Sequence, residues 1–187
     1  EKIDARMQGS GRLRGAWTQP DHAMMTRDAQ ALQRDLGMAV DVLSKADVRR
    51  EIAADCYQGG LLFHAHGGVH PALFHLGLLR RARTAGAFVA GHAPVTAVRR
   101  EATKFIVETA RRNTDATAVI ATTNGYTGRA TPALARRLVA IPSFLIATES
   151  LGADRVRSLI PNGRMIVETR EMHLYYRPSP DGTRIVL

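Results

Sequence analysis

With 187 residues, 45% of them hydrophobic, the chain can bury a core, and its composition is not that of a disordered protein. The formal charge of +9 invites a polyanionic partner, but the arginines are spread as pairs (Arg49-Arg50, Arg80-Arg81, Arg99-Arg100, Arg111-Arg112, Arg136-Arg137). Only 5% of residues are aromatic, and together these features argue against a nucleic-acid interface. The longest apolar runs, Gly86 to Ala90 and Leu138 to Ala147, fall short of a membrane span, and the single Cys56 supports neither a disulfide framework nor a zinc site alone. A cytoplasmic protein with no membrane partner is the expectation.

In chain order, Ser10 to Trp17 (SGRLRGAW) alternates polar and apolar residues as a half-buried strand does. Pro20-Asp21 then opens a helix whose Met24, Met25, Ala29, Leu32 and Leu36 recur at helical spacing up to Gly37. Val40 to Ile52 repeats the theme, a short extended piece followed by a helix with Ser44 as N-cap and Asp47 three residues on. Gly59 to Phe63 is extended and apolar, and Pro71 begins a helix with an apolar face of Ala72, Leu73, Leu76, Leu79 and Ala82. Gly86 stops that helix, and Ala87 to Gly91 is expected to follow as a short buried strand, half of a βαβ unit.

His64, His66, His70 and His75 crowd together, yet no acidic residue or cysteine near them in sequence completes a metal set, so no metal is expected. Three extended segments come next, in APVTAV, KFIVETA and TAVIATT, an antiparallel meander whose last member, Ala118 to Ala121, is apolar on both faces. That pattern suits the middle of a covered sheet. The break at Thr122 to Gly125 is then either a plain turn or the carboxyl end of a buried strand opening onto a ligand, where small residues allow close approach.

The order of GGLLFHAHGGVHPALFHLGLLRRARTAGA, APVTAV, VIATTNGYTG, LVAIPSFLIATE and HLYYRPSPDGTRIVL resembles the FAD-dependent oxidoreductases of the D-amino-acid oxidase superfamily. Asn-Gly-Tyr-Thr and Tyr-Tyr-Arg-x-Ser-Pro-Asp-Gly are most similar to its γ-glutamylputrescine oxidase-like branch. The resemblance implies an α+β fold, with parallel strands, a helix and a β-meander as part of an FAD-binding domain and an antiparallel sheet as substrate domain. It divides the chain into substrate-domain residues 1–58, cofactor-domain residues 59–137 and substrate-sheet residues 138–187. It places Val95, Thr123, Asn124 and Gly125 against the FAD, and His70, Tyr175, Tyr176 and Arg177 toward an amine or amino-acid substrate. If the last segment is a strand, Tyr175 and Tyr176 point to opposite faces and at most one meets the substrate.

The family's leading G-x-G-x-x-G turn is not found in these residues, and Leu187 falls within a strand, so the chain is expected to be an internal piece of a longer enzyme, inactive alone. The implied reaction is oxidation of an amine to an imine, with dioxygen as acceptor. No nucleophile, carboxylate pair or metal cluster is needed for it. A cofactor-free binding module, or a basic nucleic-acid binder, are the competing readings of the residues by themselves.

Overall fold

In the computed structural model, which describes residues 3–187, strand β1 (Arg12–Ala16) runs into helix α1 (Gln19–Leu36) through a closed capping box. The Thr18 hydroxyl accepts from the Asp21 amide, and the Asp21 carboxylate accepts from the Thr18 amide. Gly37, in the left-handed region at φ 59°, ends the helix and donates to the Gln33 carbonyl. Of the five residues expected to face the core, Met25 and Ala29 are buried and Leu32 partly so, whereas Met24 and Leu36 are exposed. A helix on one face of a sheet buries a narrower stripe than the apolar residues it carries.

Strand β2 (Val40–Ser44) leads into helix α2 (Lys45–Glu51), capped by Ser44, whose hydroxyl accepts from the Asp47 amide. Strand β3 (Gly59–Phe63) is buried along its whole length. Helix α3 (Pro71–Thr84) follows, then β4 (Val95–Glu101), β5 (Lys104–Thr109), β6 (Asn113–Ala116), a 3-10 turn at Asn124–Tyr126 and helix α4 (Pro132–Ala135). Helix α5 (Ala153–Leu159) and strands β7 (Met165–Glu168), β8 (Tyr175–Pro178) and β9 (Ile185–Val186) complete the chain.

Two compact units result, one of residues up to Ala82 with Leu145–Leu187, the other Arg83–Phe144. The first holds a six-stranded sheet of order β2-β3-β1-β7-β8-β9, in which β1 and β7 are parallel and the other neighbours antiparallel. Leu13 and Ile166 point to the face covered by α2 and α5 and pack with Val48, Ile52, Tyr57 and Ile160. Leu61, Phe63 and Val40 point to the other face, where Met25 and Ala29 of α1 cover them. Arg164 and Glu51, both mostly buried, join the start of β7 to the end of α2: Arg164 donates to Glu51 at 2.7 and 3.2 Å and also to the Ser10 carbonyl.

Burial alone would raise the Glu51 carboxyl, but hydrogen bonds from Arg164 and Asn162 and the Arg164 charge pull it below its ordinary value. A depressed acid stabilises the fold above its unfolded value, about pH 4.3, and that stabilisation is lost as pH falls through the lower folded value. Glu51→Gln should therefore lower stability at neutral pH and flatten the acid limb of a stability-against-pH curve measured by chemical denaturation.

The second unit is a three-stranded meander, β4-β5-β6, with Arg99 paired to Glu108 and Lys104 to Asp115 across strands. Among its described residues Ile106 alone is a buried hydrophobic. Three sequence expectations are corrected here. The third strand is Asn113–Ala116, not Ala118 to Ala121. Register explains it: Phe105 pairs with Ala116, so two residues further on the partner strand has already turned, and Ala118 to Thr123 runs on unpaired with Ile120 86% exposed. Likewise Ala87 to Gly91 forms no strand, and Phe88 lies open under the Arg112 guanidinium. Helix α3 buries none of its residues, its expected apolar face included.

Candidate functional site

Alternation in strands turns every second residue of β1, β3, β7 and β8 to one side of the six-stranded sheet. The register places Val40, Phe63, Arg12 and Met165 in one row and Val42, Leu61, Arg14, Val167 and Tyr175 in the next. Arg177 reaches the same region: with the Met165 sulfur it packs against Gly68 so closely that a Cβ there would stand 2.9 Å and 2.7 Å from them. It also donates to the Val69 carbonyl at 3.3 Å. The loop before α3 is thus held against β8. His70, in that loop, caps α3 with its Nδ1 accepting from the Leu73 amide at 3.4 Å, and its own amide donates to the Ala5 carbonyl.

Tyr175 and Tyr176 do point to opposite faces. Tyr175 is exposed, with its hydroxyl 2.9 Å from His173. Tyr176 is partly buried on the other face, where its hydroxyl meets that of Tyr57, which donates to Glu168 at 3.0 Å. Burial pushes both phenols up, Tyr176 to about 12, so both stay protonated donors at neutral pH. Glu168, 4% exposed, also accepts from Arg170 and from the Leu174 amide at 3.3 Å, bracing the β7–β8 connection that presents Tyr175 and Arg177.

Between α1 and this sheet face lies an open cleft of about 650 Å³. Arg12, Arg14 and His66 stand in it beside Leu32, Leu61 and Phe63. Arg12 lies 4.5 Å over the Phe63 ring, on which His66 stacks at 4.8 Å. Burial, with Arg12 nearby, holds the His66 ring below its ordinary value, so it is neutral at pH 7. His64 stands apart, 2.7 Å from Asp41, a carboxylate that proximity in sequence does not reveal. Among the described residues no three His, Cys, Asp or Glu side chains come together as a metal set.

In the second unit, Val95 begins β4 and is exposed. Thr123 leads from the unpaired apolar segment into the 3-10 turn that Asn124 and Gly125 begin, with Asn124 in the left-handed region at φ 47°. The turn is closed by Tyr126 donating to the Thr123 carbonyl and by the Thr127 hydroxyl, which meets Thr123 Oγ1 at 2.6 Å and the Asn124 carbonyl at 2.7 Å. A Cβ on Gly125 would touch nothing within 4 Å. No acidic residue stands between Asp115 and Glu149, a stretch that carries Arg129, Arg136 and Arg137.

The family described as FAD dependent oxidoreductase (DAO) matches residues 1–187. The chain belongs to that family. Gamma-glutamylputrescine oxidoreductase of Escherichia coli (strain K12) is 34% identical over 144 residues, 76% of this chain and 34% of the relative. Among solved structures, glycine oxidase from Geobacillus kaustophilus superposes with TM-score 0.77 at 17% identity, over 98% of this chain and 48% of that one. L-amino acid deaminase from Proteus vulgaris does so with TM-score 0.71 at 14% identity, over 98% and 43%. The chain spans about a third of the curated relative's length and about half of each of these structures.

The mixed α+β architecture expected from sequence is that of these solved structures. The residues around Thr123 to Gly125 would suit an FAD in chemistry: small uncharged side chains on an exposed turn, within a stretch of sequence that carries no carboxylate to repel a pyrophosphate. Arg12, Arg14 and Glu168 were not singled out by sequence, and His66 was weighed there only as a metal ligand. Two arginines at i and i+2 in a strand necessarily share a face, which is the signal that marks the first two. The partners of Glu168 and His66 come from distant parts of the chain and leave no local trace.

Proposed function

We propose that this protein is the substrate-side and partial cofactor-side portion of an FAD-dependent oxidase of amines or amino acids. The match of the whole chain to an FAD-dependent family carries this reading. Bound FAD supplies the two-electron acceptor that no side chain can. In the reading, Val95, Thr123, Asn124 and Gly125 line the cofactor, and Tyr175, Arg177 and the His70 loop line the substrate. The chain's own work is then to orient the amine, exclude water and keep positive charge near the site. Bound FAD would take the Cα hydrogen as a hydride equivalent while the amine nitrogen gives up a proton to water, and hydrolysis of the imine would release a carbonyl compound together with ammonia or an amine. Dioxygen is the final acceptor, reduced to hydrogen peroxide. Among the described residues no helix is long and apolar enough to cross a membrane, and a cytoplasmic setting suits the exposed free Cys56.

Oxygen consumption by the full-length enzyme that contains these residues tests this. One peroxide released per amine consumed is expected with a panel of primary amines and amino acids. Amine oxidation that needs an added dye and leaves oxygen untouched would replace dioxygen by another acceptor.

A further inference from the structure

The loop of residues 67–70, between β3 and α3, is held from two sides. On one side the chain before β1 straps it: Gln8 and Gly68 exchange amide-to-carbonyl hydrogen bonds at 2.8 and 2.9 Å, and the His70 amide donates to the Ala5 carbonyl at 2.7 Å. A Cβ on Gly67 would stand 2.7 Å from the Gln8 carbonyl oxygen, so only glycine lets the strap close. On the other side stands β8. Arg177 is half-buried, and among the described residues it has no carboxylate within salt-bridge distance. Its donation to the Val69 carbonyl at 3.3 Å is the one side-chain hydrogen bond to the backbone of residues 67–69 among the described residues. A charged donor makes such a bond stronger than a neutral one does.

The neighbours of Arg177 give that contact its consequence. Tyr175, two residues earlier on the same strand, faces the same side of the sheet. His70 follows Val69 directly and caps α3. The guanidinium therefore ties the backbone that carries His70 to the strand that carries Tyr175, across 108 residues of sequence. Gly68 makes the tie sensitive to a single methyl group. A Cβ there would meet Arg177 Nη1 at 2.9 Å and the Met165 sulfur at 2.7 Å. Both are ends of flexible side chains, so they would give way before the strapped backbone does, drawing the guanidinium off the Val69 carbonyl.

We propose that Arg177 is a positioning residue: its guanidinium latches residues 67–70 to β8 and so fixes where His70 and Tyr175 stand relative to each other and to the substrate. The inference deepens the oxidase reading and rests on it for the word substrate. Arg177 serves the reaction through the loop it holds, for amines with and without a carboxylate alike. Keeping groups in place around a bound substrate lowers the barrier to reaction, so the latch acts on the rate of flavin reduction rather than on substrate affinity.

The test follows flavin reduction by rapid anaerobic mixing of the full-length enzyme that contains these residues, with alanine, proline, 5-aminopentanoate, pentylamine and 1,5-diaminopentane as probes. Arg177→Met and Gly68→Ala should each slow reduction at saturating probe about tenfold, with the half-saturating concentration changed less than about twofold. The double variant should be no slower than either single one, because both substitutions act on one contact. Arg177→Lys, which can still donate to the Val69 carbonyl, should stay within about threefold of the native rate. Amide hydrogen exchange at Gly68 and His70 should quicken in Arg177→Met and in Gly68→Ala. Should Arg177→Met fail to fold, judged by far-ultraviolet circular dichroism, Gly68→Ala carries the rate and exchange expectations. A loss confined to the carboxylate-bearing probes, additive effects, a native rate in Gly68→Ala, or exchange unchanged by the substitutions would each overturn the proposal. Flavin that none of the probes bleaches counts against the oxidase reading, and the exchange measurement, which needs no turnover, still decides the latch.

Discussion

Glu168→Leu should lower the unfolding free energy by about 3 kcal/mol, measured by urea denaturation. Glu168 is buried, and its two oxygens serve three donors at once: the Tyr57 hydroxyl, the Arg170 guanidinium and the Leu174 amide. Leucine matches the volume but leaves a buried phenol and a backbone amide without acceptors, and those groups cannot all turn to water. The guanidinium loses less, because Arg170 is partly exposed and remains stacked 4.2 Å over Trp17. The loss therefore belongs at the lower end of what breaking a buried pair costs. Tyr57→Phe, which removes one donor and leaves the carboxylate its other two, should cost about 1 kcal/mol. Because the same carboxylate holds the β7–β8 connection, Glu168→Leu should also loosen the strand that carries Tyr175 and Arg177.

Leu13→Ala is expected to cost about 3 to 4 kcal/mol, read from the same denaturation curves. Leu13 is fully buried on the central strand, packed between α2 and α5 with Val48, Ile52 and Ile166. Truncation removes three carbons and leaves a cavity that the strand cannot close, since β1 is hydrogen-bonded on both sides, to β3 and to β7. Gly15, two residues along on the same face, has the Tyr57 ring against it, where a Cβ would come within 2.6 Å of ring carbons, so that part of the sheet has no slack to fill the gap.

Sequence reading served well where the causes are local. The Thr18–Asp21 box, the Gly37 cap and the Ser44 cap are decided within a few residues, and the helices they bound begin and end where their side chains dictate. The opposed directions of Tyr175 and Tyr176 follow from strand geometry alone. Reading failed where the outcome depends on a neighbour. Val119 and Ile120 have the composition of a buried strand, but the meander's register leaves them no partner, and apolar character by itself cannot supply one. The same limit hid the cleft: Arg12 and Arg14 look like the solvent side of an amphipathic strand until β3 sets Phe63 beside one and Leu61 beside the other. Glu168 and Tyr57, 111 residues apart, meet only because β7 joins the sheet in parallel with β1.

The measurement that bears most directly on the account is an anaerobic titration of the full-length enzyme that contains these residues with an amine or amino acid, followed in the visible spectrum. The account predicts flavin bands that bleach as amine is added and return when air is admitted. A colourless protein, or flavin bands that no amine or amino acid bleaches, would contradict it.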